Sequence, residues 1–176
     1  MNLGANNSQM SGDAGGLSHD VSLLEGLRIL TLGKRVLVLG IGNRSRGDDA
    51  AGSLLADRLQ GQLRVPVIDA SDVPENYIAP IEESGADVVV VVDAADFGGE
   101  PGDVALLDVN QLNELGLSTH TAGLSLMFQA MTEERRPRAA VLAIQPASNQ
   151  LGAGISAPVE VTLELLGNLL LELFGP

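Results

Sequence analysis

Residues Arg35 to Gln60 read RVLVLGIGNRSRGDDAAGSLLADRLQ, and the fold is decided there. The opening RVLVLG is an unbroken apolar run that suits a strand buried on both faces. From Asp49 to Gln60, Ala50, Leu54, Leu55 and Leu59 recur at helical spacing. Strand, loop and helix therefore follow one another, and the alternation continues downstream. Leu63 to Asp69 reads as a second strand. Asp72-Val73-Pro74-Glu75 has an Asp with an acidic residue three positions on, the capping-box spacing, and predicts a helix to about Ser84. Asp87 to Val92 (DVVVVV) has the composition of a central parallel strand. Gly98-Gly99-Glu100-Pro101-Gly102 is a turn cluster, followed by a short strand at Val104 to Asp108. A helix is expected over Thr121 to Glu134, a last strand over Ala139 to Ile144, and a C-terminal helix over Ala157 to Phe174, opened by Ser156 and Pro158. This order predicts an α/β fold of three layers: an open, doubly wound, mostly parallel five-stranded sheet with helices on both faces and an antiparallel element near Val104.

Upstream of this region, residues 1–20 are rich in Gly, Ser, Asn and Asp and read as a disordered tail, which leaves residues 21–176 as a single domain. A short helix is expected over Val21 to Thr31, with Leu23, Leu24, Leu27 and Leu30 on one face and Gly33 stopping it. The tail has neither the basic start and apolar core of a secretory signal nor the arginines of a transit peptide, and no apolar run is long enough to span a bilayer. The expected compartment is the cytoplasm, and the expected state a monomer.

Composition narrows the chemistry. Asp+Glu number 23 against 10 Lys+Arg, a formal net charge of −13, which repels phosphate backbones and anionic lipid; neither nucleic acid nor membrane is an expected partner. Cysteine is absent, which removes disulfides, thiolate metal sites and cysteine nucleophiles. Aromatic residues make up only 2% of the chain, so the core must be aliphatic.

In doubly wound sheets, ligands bind beyond the carboxyl ends of the parallel strands, so the polar residues there are the candidates. After the first strand, Gly40-Ile41-Gly42-Asn43-Arg44-Ser45 matches the first two glycines of a dinucleotide loop but has Ser45 at the third, with Asp69 available for a ribose hydroxyl. Against that reading, Asp48 and Asp49 occupy the helix start where a pyrophosphate would sit. The same carboxylates suit a cation, and the helix start would hold Asp49 ionised. Asp93 ends the valine run and faces the same crevice. Capping by Asp48 or Asp49 and a solvated strand end at Asp93 are the plainer roles. His19 falls in the tail, so His120, in Ser118-Thr119-His120-Thr121-Ala122-Gly123, is the imidazole available to the domain. Asp49, Asp93 and His120 make a nitrogen and oxygen donor set with open positions. Neither HExxH nor GxSxG occurs. Ser118 and Thr119 read as helix caps, and Asp69 with Glu75 as a further carboxylate pair, although capping explains Glu75 equally well.

Taken together, Gly40-Ile41-Gly42-Asn43, Gly47-Asp48-Asp49-Ala50-Ala51-Gly52, Ile68-Asp69, Pro74-Glu75-Asn76, Val92-Asp93-Ala94-Ala95-Asp96, Thr119-His120-Thr121 and Ile144-Gln145-Pro146 resemble the hydrogenase maturation endopeptidases. These are nickel-dependent, aspartic-type proteases that finish the large subunit of [NiFe] hydrogenases. The Pro-Glu-Asn and Ile-Gln-Pro elements most resemble the branch serving the formate-hydrogenlyase type of hydrogenase. The resemblance implies that Asp49, Asp93 and His120 are both the metal-contacting and the catalytic residues. It also implies that the partner is a large-subunit precursor whose C-terminal extension is removed after nickel insertion. The nickel arrives with the substrate; no tightly bound cofactor is expected, although Cd or Zn could occupy the site. The family offers no counterpart for the extension before Lys34. The rival from another class is a non-enzymatic nucleotide- or metal-binding module on the same sheet.

Overall fold

A computed structural model describes the backbone of residues 15–109 and 119–176 and, within these, the side chains of residues 23–109 and 123–176. The elements are α1 (Gly15–Thr31), β1 (Val36–Gly40), α2 (Ala51–Leu59), β2 (Val67–Asp69), α3 (Ile78–Ser84), β3 (Val88–Ala94), β4 (Val104–Asp108), α4 (Thr119–Ala130), β5 (Arg138–Ile144) and α5 (Ala157–Phe174). The five strands form one sheet in the order β2-β1-β3-β5-β4. All neighbours are parallel except β4, which runs antiparallel to β5. The expected three-layer, doubly wound architecture is what the chain adopts. None of the described helices is long and apolar enough to cross a membrane.

Alternation along β3 divides the core. Val88, Val90, Val92 and Ala94 pack with Leu55 and Leu59 of α2 and with Leu163, Leu166 and Leu170 of α5. Val89 and Val91 pack on the opposite face with Ile81 of α3 and with Leu124, Met127 and Phe128 of α4. Every residue of β1 and β3 is buried, so their near-continuous apolar sequence follows from having helices on both sides. At the base of the sheet, the Arg35 guanidinium and backbone N–H both donate to Asp87, and these hydrogen bonds hold the Asp87 carboxyl down at about 2.

The structure corrects several local expectations. The tail expected over residues 1–20 lies outside the described residues as far as Ala14. From Gly15 the backbone is already helical, so α1 starts six residues before Val21; extending a formed helix adds a hydrogen bond per residue without requiring buried side chains. Strand β2 covers only Val67–Asp69 rather than Leu63–Asp69, because the Arg64 N–H donates to the Phe174 carbonyl at 2.7 Å and Pro66 has no N–H to give. The capping box at Asp72 and Glu75 does not form. Val73 is the N-cap residue of a 3-10 turn at Pro74–Tyr77, with no side-chain cap, and Asp72 accepts instead from Asn43 Nδ2 at 2.9 Å. Helix α4 ends at Ala130, not Glu134. There the Arg136 guanidinium donates to the carbonyls of Gln129 and Met131, and Glu133–Arg135 forms a separate 3-10 turn.

The extension forms a packed element of the domain. In α1, Leu27 is fully buried in the α2/α5 core, and Arg28 pairs with Glu172 of α5 at 2.8 Å. A Cβ built on Gly26 would lie 3.0 Å from Leu106 of β4, so the helix sits close against that edge strand. Its left-handed stop at Gly33 (φ 68°) is as expected.

Three glycines set the crevice. A Cβ on Gly40 would lie 2.1 Å from the Gly52 carbonyl oxygen, one on Gly42 1.9 Å from the Asp49 carbonyl oxygen, and one on Gly52 2.0 Å from the Val92 oxygen and 2.4 Å from the Ile41 oxygen. The start of α2 is thus pressed backbone to backbone onto the carboxyl ends of β1 and β3. Gly52→Ala should cost about 3 kcal/mol or more in a urea melt. Gly167→Ala in α5, whose Cβ would meet only Leu55 at 3.7 Å, should gain about 0.5–1 kcal/mol. Leu27→Ala should lose roughly 2–4 kcal/mol in the same assay; a loss near zero would mean that α1 is not part of the core.

Candidate active site

The chain leaves β1 in opposite directions across the sheet, to β2 on one side and β3 on the other. The crevice opens at this switch point, beyond Gly40 and Val92. Asp49 lies three residues before Gly52 and Asp93 one residue after Val92, so the Gly52–Val92 contact brings their segments together. Both are buried, Asp49 6% and Asp93 2% exposed. The Asn43 N–H donates to Asp49 Oδ2 at 3.3 Å. Asp93 has the parity of Val89 and Val91, whose face α3 and α4 cover. His120 is in the first turn of α4, and its side chain lies outside the described residues, as does all of Ser118. Among the described residues, no three His, Cys, Asp or Glu side chains are grouped to hold a metal ion. Of the three expected donors, Asp49 and Asp93 are described, each buried, and the side chain of His120 is not.

Asp48 caps no helix. Its carboxylate is fully buried and accepts from the N–H groups of Ala147 (2.8 Å), Ser148 (3.1 Å) and Ser156 (2.7 Å). Its own N–H donates to the Ser148 carbonyl, and that of Gly47 to Ala153. The loop between β5 and α5 is thereby clipped to the loop that carries Asp49. Ser156 joins this clip through its backbone rather than capping α5 with its hydroxyl.

Asp69 turns toward Arg44 rather than toward Glu75. Arg44 Nη2 donates to Asp69 Oδ2 at 2.8 Å and Arg44 Nε to Ser53 Oγ at 2.8 Å, while the Ser71 N–H donates to Asp69 Oδ1. Asp69 therefore serves the protein's own loop. The nucleotide reading fails on space as well, since the positions beside Gly40 and Gly42 are filled by the backbone of Gly52 and Asp49.

The sequence reading missed Gln145 as an organising residue, although a buried amide ending the apolar run of β5 signals one. It is 7% exposed. Its Oε1 accepts from Phe97 N (2.9 Å) and Gly99 N (3.1 Å), and its Nε2 donates to Asp96 Oδ1 (3.0 Å). Its backbone N–H and carbonyl bond Asp103 and Gly102.

With this geometry, comparison with known proteins is decisive. The family model described as hydrogenase maturation protease, HycI, matches residues 50–173. The chain belongs to that family. It is 33% identical over 101 residues to the hydrogenase 3 maturation protease of Escherichia coli K12, a match covering 56% of this chain and 65% of that relative. This agrees with the branch expected from Pro74-Glu75-Asn76 and Ile144-Gln145-Pro146. The crystal structure of the [NiFe] hydrogenase maturation protease HycI from Thermococcus kodakarensis superposes with a TM-score of 0.69 at 31% identity, covering 82% of this chain and 98% of that one. The solution structure of the Escherichia coli endopeptidase HycI gives 0.67 at 28% identity, covering 76% and 86%.

Asp48→Asn should test the clip. An amide keeps one acceptor oxygen but sets its NH2 against at least one of the three N–H groups, so stability should fall by roughly 2–3 kcal/mol and limited proteolysis should begin between Gln145 and Ser156. Unchanged protease resistance there would refute the clip.

Proposed function

We propose that this chain is an endopeptidase that removes the C-terminal extension of a [NiFe] hydrogenase large-subunit precursor after nickel insertion. The observation that carries the reading is the pair of buried carboxylates, Asp49 and Asp93, at the switch point of a family-matched sheet. Buried carboxylates gathered at a crevice are a recurrent mark of functional sites. Nickel belongs to the substrate in this reading, held by the precursor's own ligands. Asp49, Asp93 and His120 supply oxygen and nitrogen donors to its open positions. With no thiolate in the chain, such a site binds free metal weakly and recognises a loaded precursor by the difference. Asp49 or Asp93 then acts as general base toward the water attacking the scissile carbonyl, which the metal polarises.

The test compares nickel-loaded with nickel-free precursor, incubated with wild type, Asp49→Ala and His120→Ala and resolved on a gel. Wild type should cut only the loaded form, and both variants should cut neither while melting as folded proteins. Equal cutting of both forms by wild type would overturn nickel reading. Normal cutting of the loaded form by the His120 variant would leave a two-carboxylate mechanism on Asp49 and Asp93. No cutting by wild type would favour a non-enzymatic module.

A further inference from the structure

The segment Gln145-Pro146-Ala147-Ser148 makes two sets of contacts at the crevice. At one end, the Gln145 side chain closes the turn that follows Asp93 through Asp96, Phe97 and Gly99. At the other, the N–H groups of Ala147 and Ser148 bind the carboxylate of Asp48, the residue beside Asp49. Only Pro146 separates the two, and its ring removes a backbone degree of freedom where slack would otherwise enter. Ala95 N–H also donates to the Ile144 carbonyl at 3.0 Å, so the end of β5 follows the end of β3 up to the turn.

We infer that Gln145 is a positioning residue: through this strap it fixes the segment carrying Asp93 relative to the segment carrying Asp49. Its side chain acts through the backbone of Phe97 and Gly99 and the carboxylate of Asp96. The inference rests on the proposed role of Asp49 and Asp93, and its consequence is specific. A crevice that must fit a metal held by another protein has one carboxylate on the turn that opens α2 and the other at the end of β3, and their spacing is set by whatever ties those two segments together. A displacement of about 1 Å at such a site is enough to cost on the order of a hundredfold in rate. Gln145 suits this task because an amide can both accept from Phe97 and Gly99 and donate to Asp96, which neither a carboxylate nor an apolar side chain does.

The experiment uses the full chain and three variants. Gln145→Met keeps the length and removes every side-chain hydrogen bond. Gln145→Glu keeps the acceptor but sets a carboxylate against Asp96. Gln145→Glu with Asp96→Asn restores a donor opposite that carboxylate. On nickel-loaded precursor, the first two should lower kcat at least ~10-fold with KM within about twofold, and the double variant should recover most of the loss. A raised KM at unchanged kcat, or no recovery in the double variant, would overturn the inference. Amide hydrogen exchange supplies a readout that needs no substrate and therefore separates failure of this inference from failure of the proposed activity. In Gln145→Met, exchange should accelerate at Phe97 and Gly99 and also at Ala147, Ser148 and Asn43, whose N–H groups bind Asp48 and Asp49. Acceleration confined to Phe97 and Gly99 would show a local turn closure and no strap.

Discussion

The contact on which the rest of this structure depends is the backbone of Gly52 against the carbonyls of Val92 and Ile41. No side chain separates the first turn of α2 from the ends of β1 and β3, so the loop between Gly42 and Gly47 has little room and must fold back on itself. That compression buries Asp48 and Asp49 together, although a solvated helix start would be a far less costly place for two adjacent carboxylates. It also brings Asp49 beside the strand that ends in Asp93. A Cβ at this point would open the sheet's switch point.

Two neighbouring aspartates then take different partners. Asp48 is spent internally: three backbone N–H groups converge on it, which satisfies a buried charge and fixes a long connection that would otherwise be free to move. Asp49 accepts from the Asn43 backbone N–H at 3.3 Å, a bond within its own loop. Arg44, in the same loop, is engaged with Asp69, Asp57 and Ser53. The charge of Arg44 is thereby committed to β2 and α2.

The helix before Lys34 behaves as an added layer at the β4 edge. Leu27 enters the α2/α5 core, Gly26 allows close approach to Leu106, and Arg28 reaches Glu172 on α5. Edge strands carry unpaired backbone groups and one poorly covered face; a helix packed there shields the face without changing the strand order. This role rests on three contacts distant in sequence, so nothing within residues 21–33 discloses it.

By itself the sequence determined the alternation of strands and helices, because unbroken valine runs and 3.6-residue leucine spacing are local patterns that carry their own burial requirement. It also singled out Asp49 and Asp93 as candidates, since one opens a helix after an apolar strand run and the other ends such a run. What it left open was which polar groups the protein spends on itself. Asp72 has the spacing of a helix cap and bonds Asn43 across the loop. Asp69 has the position of a ribose ligand and bonds Arg44. Asp48 stands at a helix start and receives amides from 99 to 108 residues away, and Gln145 closes a turn almost fifty residues upstream. A hydrogen bond is short and directional, so its partner is fixed by the three-dimensional meeting of strand ends, which only the tertiary structure decides.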